Sequence, residues 1–253
     1  TSRSVDYRTW RSVLPAYELL EGVRVYRFNS LARTRLAWRV LSYGLYHYWR
    51  TGSAWYEPQI FYGNGPICPG MFAEILRRAR QYDLVHINNL HYSHALVAHT
   101  AAQLRGLPAV ITPHLHAEQP QTHDVGYTQR ILGAAAVIFA DTQPEKQYLM
   151  EHNPNRDIVL GGIGMQLDRF PPLDARVSRA HFGLPETGFV ILFPGRKTYY
   201  KGLDLCLEAF AALRKMRQDA YFLAVGPETA FSRQLWSRYA GLDGLLVRGE
   251  VSS

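Results

Sequence analysis

Short apolar runs rich in β-branched residues recur along the chain, each followed by a segment whose apolar positions return every three to four residues. The runs at 22–28 (GVRVYRF), 83–89 (DLVHINN), 109–114 (AVITPH), 136–141 (AVIFAD) and 157–162 (DIVLGG) read as strands. So do 189–195 (FVILFPG), 220–226 (AYFLAVG) and 244–250 (GLLVRGE). Helical periodicity falls near 70–81, 92–105, 127–134, 143–151, 203–217 and 228–240. In the helix over 203–217, Leu203, Cys206, Leu207, Phe210 and Leu213 share one face, which is the packed side. Near-continuous apolar strands need cover on both faces, and strand–helix alternation favours parallel pairing. The pattern therefore predicts an α/β fold of doubly wound parallel sheets.

The alternation breaks once, across RFPPLDARVSRAHFGLPETG (169–188), where paired prolines and a Pro-Glu-Thr-Gly turn interrupt it. Two domains are expected, 1–172 and 173–253. About three strands follow the break, so the second domain is expected to be incomplete. No strand and no glycine-rich turn is expected ahead of GVRVYRF, so the chain reads as a fragment cut at both ends.

Composition adds direction. With 47% hydrophobic residues the chain can bury a core, and no apolar run nears the roughly 20 residues of a membrane span. Cys68 and Cys206 follow no ligand spacing and read as buried thiols of a cytoplasmic protein. The net charge of +7 is concentrated early: residues 1–55 hold nine arginines against Asp6, Glu18 and Glu21. Such an excess favours anionic partners. In LARTRLAWRVLSYGLYHYWR (31–50) the arginines alternate with aromatics at helical spacing. A helix packed on its own domain is the first reading and a membrane-surface helix the second. Nucleic acid ranks behind both, since no recognition motif accompanies the charge.

The candidate chemistry sits at strand ends. In FPGRKTYYKG (193–202), Arg196 follows Gly195 at the end of a strand, and Lys201 precedes the next helix. Cations oppose the helix dipole there, so they need an anion; a diphosphate would meet both cations and the backbone N–H groups together. Lys197 in the same turn reads as a solvated surface cation. Seven histidines cluster in 86–123, and His91 with His94 raises a metal site that no cysteine or carboxylate completes. His114 stands apart because it lies just past the end of AVITP, where ligands of open parallel sheets bind. It could contact a substrate hydroxyl or be a satisfied loop histidine. Thr142 and Glu145 fit a helix-capping box, although either could also face a ligand.

In order and spacing, YDLVHINN, GLPAVITPH, AAAVIFADTQPEKQYL, GIGMQLDRFPP, ILFPGRKTYYKGLDLCLEAF, FLAVGP and VRGEVS together resemble the family 4 glycosyltransferases. The resemblance covers nearly all of the chain from Gly22 onward, and its most specific element is G-R-x-x-x-x-K-G. It implies the GT-B fold, two Rossmann-like domains facing a cleft. The family's phosphate-binding cations then fall on Arg196 and Lys201, its close-approach glycine on Gly195, and its sugar-contacting histidine on His114. Gln166 stands where the family has aspartate, so no charged role passes to it. The glycine-rich loop of the family would lie before Thr1 and its E-x7-E pair after Ser253, so the fragment alone is expected to turn over poorly.

The implied reaction is transfer of a hexose from a UDP-, GDP- or ADP-sugar to an acceptor hydroxyl, with retention. No cofactor or metal is expected, since no Asp-x-Asp motif is evident. The expected acceptor is a glycan, a lipid-linked sugar or a small molecule, as in cell envelope polysaccharide synthesis. The expected location is cytoplasmic, with a possible peripheral site at the inner face of an anionic membrane. A nucleotide-sugar epimerase or a phosphorylase of the same fold, and a non-catalytic nucleotide-sugar- or membrane-binding module, are the alternatives.

Overall fold

A computed structural model describes residues 14–115, 124–165, 167–169 and 171–251. His116, His123 and Gln166 fall outside the described residues. The chain divides into two compact units, Thr1–Met165 and Gln166–Ser253.

Unit one opens with a hairpin, β1 (Tyr17–Leu20) antiparallel to β2 (Val23–Tyr26). A strand therefore precedes Gly22, against expectation, and residues 23–26 pair with it instead of joining the parallel sheet. The reason is local: Glu21 and Gly22 both take positive φ, 48° and 83°, the two-residue turn whose twist matches antiparallel strands.

Helix α1 (Arg35–Thr51) follows, with Thr34 as its cap: the hydroxyl accepts from Ala37 N. Ala37, Leu41 and Gly44 form its buried stripe, so the helix packs on its own unit. Its partner is α2 (Glu57–Asn64), folded back against it. A Cβ on Gly63 would lie 2.4 Å from Leu41 Cβ and 2.6 Å from Ala37 O, so the two helices touch backbone to backbone only because residue 63 is glycine.

The rest of unit one alternates as the pattern predicted. Helix α3 (Pro69–Arg78) leads into β3 (Val85–Asn88), followed by α4 (His94–Leu104), β4 (Ala109–Thr112), α5 (Gly126–Ala134), β5 (Val137–Ala140), α6 (Gln143–His152) and β6 (Ile158–Leu160). The four strands pair in parallel in the order β3-β4-β5-β6. Ile87, Ile111 and Ile138 lie at their centres, packed with Ile131, Leu132 and Leu149 from the helices, all nearly or fully buried.

Unit two begins with α7 (Ala175–Phe182), inside the stretch read as a break. Asp174 caps it by accepting from Arg176 N, and Gly183 ends it at φ 72°, a start and stop signal that the flanking prolines masked. Then come β7 (Phe189–Pro194), α8 (Leu203–Met216), β8 (Ala220–Val225), α9 (Ala230–Arg238) and β9 (Leu245–Arg248). Strands β7, β8 and β9 are parallel and adjacent in chain order. The expected face of α8 is the buried one: Leu203, Leu207 and Phe210 have no exposed surface and pack on Phe222 and Ala224. Each such side chain contributes about 1.5–3 kcal/mol by leaving water.

The fold is thus α/β with parallel sheets, as expected. Both cysteines are free; Cys68 is buried, which pushes its thiol pKa up, and Cys206 is half-buried. Among the described residues no helix is long and apolar enough to cross a membrane.

Candidate functional site

The carboxyl end of β7 turns sharply. Gly195 sits at φ 122°, and Gly226, past β8, sits at φ 134° so close beside it that a Cβ on Gly226 would lie 2.1 Å from Gly195 O. Pro194, Gly195, Val225, Gly226, Glu250 and Val251 line an open pocket of about 560 Å³ at these strand ends. It occupies the edge where open parallel sheets bind ligands.

The loop beyond Gly195 carries the three cations, and they take different roles. Arg196 is exposed. Lys201 is exposed too, at the end of a single 3-10 turn (Tyr199–Lys201), with its ammonium 5.4 Å from the centre of the Tyr200 ring. Neither lines the pocket floor that Gly195 helps to form.

Lys197 corrects the sequence reading. It is not a solvated surface cation, because it has no exposed surface at all. Its ammonium donates to Gly226 O at 2.8 Å, to Arg248 O at 2.7 Å and to the Glu228 carboxylate. Three acceptors satisfy its three donors. One buried side chain therefore ties the loop after β7 to the ends of β8 and β9. Burial pushes the Glu228 carboxyl pKa up, but hydrogen bonds from Lys197, Ser232 and Trp236 outweigh it and hold the group below its ordinary range. Thr229 completes the knot: its hydroxyl donates to Lys197 O at 2.6 Å, and it shares a reciprocal capping box with Ser232 at the start of α9. Nearby, Thr198 Oγ1 and Asp204 Oδ1 are buried with no hydrogen-bond partner among the described residues. Sequence reasoning did not single out either group.

In unit one the corresponding edge is built around His114. Its backbone takes φ 55°, a conformation that is costly for a residue with a Cβ. Its side chain is 40% exposed, and Nδ1 bonds the Asp141 carboxylate, which follows β5. A neutral ring whose Nδ1–H donates to Asp141 presents Nε2 outward as an acceptor. Glu145 stands behind this pair, 2% exposed, accepting from Leu115 N at 2.6 Å and from Asp141 N at 2.7 Å. Thr142 accepts from Glu145 N and caps α6. Glu145 is thus a buried brace that faces no open site, and it reaches the residue before the cap instead of closing the box on Thr142. Asp141 was part of the strand expected at 136–141 and was given no role; its position one residue past β5, beside the residues that follow β4, is the signal.

The other described histidines of this cluster serve the fold. His86 Nε2 bonds Thr112 Oγ1 at 2.8 Å, and His91 packs edge-on against Tyr92. His94 bonds Asn88 O at 2.9 Å, and burial pushes its pKa down. His99 is buried on α4. Among the described residues, no three His, Cys, Asp or Glu side chains gather as a metal-binding group.

Known proteins resemble the chain in sequence and in architecture. Residues 6–160 match the family described as glycosyl transferase 4-like domain, and residues 174–252 match glycosyl transferases group 1. A D-inositol 3-phosphate glycosyltransferase of Streptomyces scabiei (strain 87.22) is 34% identical over 158 residues, 56% of this chain and 34% of that protein. The enzyme of the same description from Arthrobacter sp. (strain FB24) is 34% identical over 172 residues, 59% of this chain and 39% of that protein. The chain therefore spans about a third of the length of the curated relatives it matches. Among solved structures, unliganded OtsA superposes with a TM-score of 0.63 at 13% identity, over 94% of this chain and 64% of that one. Anabaena HepE, solved with UDP and glucose, gives 0.58 at 17% identity, over 75% of this chain and 55% of that one. These likenesses carry the fold, the two family matches cover both units, and the chain belongs to the family 4 glycosyltransferases of GT-B fold.

Proposed function

We propose that the chain belongs to a retaining, metal-independent hexosyltransferase that moves a sugar from a UDP-, GDP- or ADP-sugar to an acceptor hydroxyl. The observation that carries this reading is the division of labour after β7. Lys197 is spent inside the fold, and Arg196 and Lys201 stay exposed on one short loop at the sheet's ligand edge. Two fixed cations can stabilise the diphosphate as the glycosidic bond breaks, and they supply that charge without a metal ion. Gly195 and Gly226 keep the floor beside them free of side chains, so a phosphate can approach the backbone. His114, oriented by Asp141, would accept a hydrogen bond from a sugar hydroxyl through Nε2. Retention follows the family resemblance, and the transferases among the relatives favour turnover over a non-catalytic module or an epimerase.

Calorimetric titration with UDP, GDP and ADP tests the clamp. Arg196→Ala and Lys201→Ala should each weaken binding by about 1.5–3 kcal/mol, the scale of a hydrogen bond to a charged group, with no change in unfolding midpoint. Affinities equal to wild type in both variants would remove the reading's main support.

The acceptor in this reading is a glycan or a lipid-linked sugar of the cell envelope, met in the cytoplasm at the inner membrane face. Helix α1 supports the membrane contact. Arg35, Arg39, Tyr46 and Arg50 all face solvent along the side opposite its buried stripe, with Trp49 42% exposed beside them. Sedimentation with anionic vesicles should fall as salt rises; binding indifferent to salt and to lipid charge would exclude it.

A further inference from the structure

The loop of cations after β7 is fastened at two points to one other element, the start of α9. Four consecutive residues leading into that helix each bond Lys197. Gly226 O and the Glu228 carboxylate accept from its ammonium, and Pro227 O accepts from its backbone N–H at 3.3 Å. The Thr229 hydroxyl donates to its carbonyl. Glu228 is held in turn from inside α9: Ser232, with no exposed surface, donates to its carboxylate at 2.7 Å, and Trp236 Nε1 donates at 2.8 Å. The first half of the loop is pinned.

The second half meets the same helix through a ring contact. Tyr199 lies edge-on to Phe231, in the first turn of α9, with ring centres 5.7 Å apart and planes at 86°. Edge-to-face pairs are directional, so this one orients the turn it belongs to. That turn is short and closed on itself: Lys201 N donates to Thr198 O at 3.2 Å, and Gly202 N donates to Tyr199 O at 2.8 Å. Lys201 stands at its end, two residues beyond the ring. Tyr199 is 70% exposed, so the contact buries little apolar surface and adds little to the stability of unit two. It is a latch on the loop.

We propose that the start of α9 is the template of the diphosphate clamp, with Tyr199 and Phe231 as positioning residues that hold Lys201 in its binding geometry. The inference rests on the diphosphate reading of Lys201. A cation ordered before binding loses less freedom on binding, so a contact that never touches the ligand can set its affinity.

Calorimetric titration with inorganic pyrophosphate, which carries the charge of a diphosphate and no base, tests this. Tyr199→Ala should weaken binding by about threefold to tenfold, the scale of one edge-to-face contact, with the unfolding midpoint unchanged. Tyr199→Phe keeps the ring and should bind as wild type does. Phe231→Leu should reproduce the loss, and the two changes together should lose no more than either alone. In a Lys201→Ala background neither should matter, since no cation remains to be placed. Affinity equal in wild type and Tyr199→Ala, or losses that persist in full without Lys201, would overturn the inference while the clamp stands. Pyrophosphate that does not bind, or binds equally well to Lys201→Ala, would overturn the diphosphate reading and this inference with it.

Discussion

At the carboxyl edge of the sheet in unit one, a buried carboxylate, Glu145, gathers two backbone N–H groups. At the corresponding edge in unit two, a buried ammonium, Lys197, gathers two backbone carbonyls and the Glu228 carboxylate. Both solve one problem. Strand ends leave polar backbone groups that regular pairing no longer satisfies, and a buried ion with several bonds closes them in one stroke. The sign of the ion decides which groups are consumed. In unit one it takes donors from the residues following His114 and preceding Thr142, and Asp141, braced this way, is left to orient an imidazole. In unit two Glu228 cancels the charge of Lys197 locally, so the positive field of the loop comes from Arg196 and Lys201. What is buried fixes the loop, and Arg196 and Lys201 stay exposed on it.

The comparison breaks most sharply at Lys197. Lys197→Ala should destabilise unit two by about 3–5 kcal/mol, the cost of breaking a buried ion pair from one side, read as a lowered denaturant midpoint. Adding Glu228→Gln should recover part of that loss. A midpoint within about 0.5 kcal/mol of wild type, as for an ordinary surface change, would show that the carbonyls of Gly226 and Arg248 do not need the ammonium.

In unit one the effect should be smaller. Glu145→Ala leaves the N–H groups of Leu115 and Asp141 without their acceptor and should cost about 2–3 kcal/mol. If Arg196 and Lys201 form the proposed donor clamp, nucleotide affinity should stay unchanged; a fall in that affinity would contradict the separation of the two edges.

The smallest effect separates the edges by acid. The folded Glu228 carboxyl lies below its ordinary value of 4.5. Its contribution to stability is therefore fully present above that value and is lost as pH falls through the lower folded pKa. Urea midpoints from pH 6 to pH 3 should show a loss in unit two that Glu228→Gln flattens, and an identical slope in both proteins would sink this assignment.

These edges also mark how far the sequence could be read. The parallel strands and the α8 face were legible because period and apolar content are local properties, and G-R-x-x-x-x-K-G is contiguous. Lys197 was misread because its acceptors lie 29 to 51 residues away and meet it only when β7, β8 and β9 align. Asp141 was overlooked because its pairing with His114 requires β4 and β5 to be neighbours. Two local signals were present and undervalued: Glu-Gly between the strands of the first hairpin, and Asp174 with Gly183 around α7.

The contact of Gly226 with Gly195 has a consequence for evolvability. The floor of the pocket after β7 is main chain pressed on main chain, and any side chain at position 226 would collide with Gly195 O. A lineage descending from this chain could not retune the floor by substitution there, because every replacement would cost the fold before it altered selectivity. Variation in this pocket is left to the positions that line it with side chains, among them Glu250 and Val251.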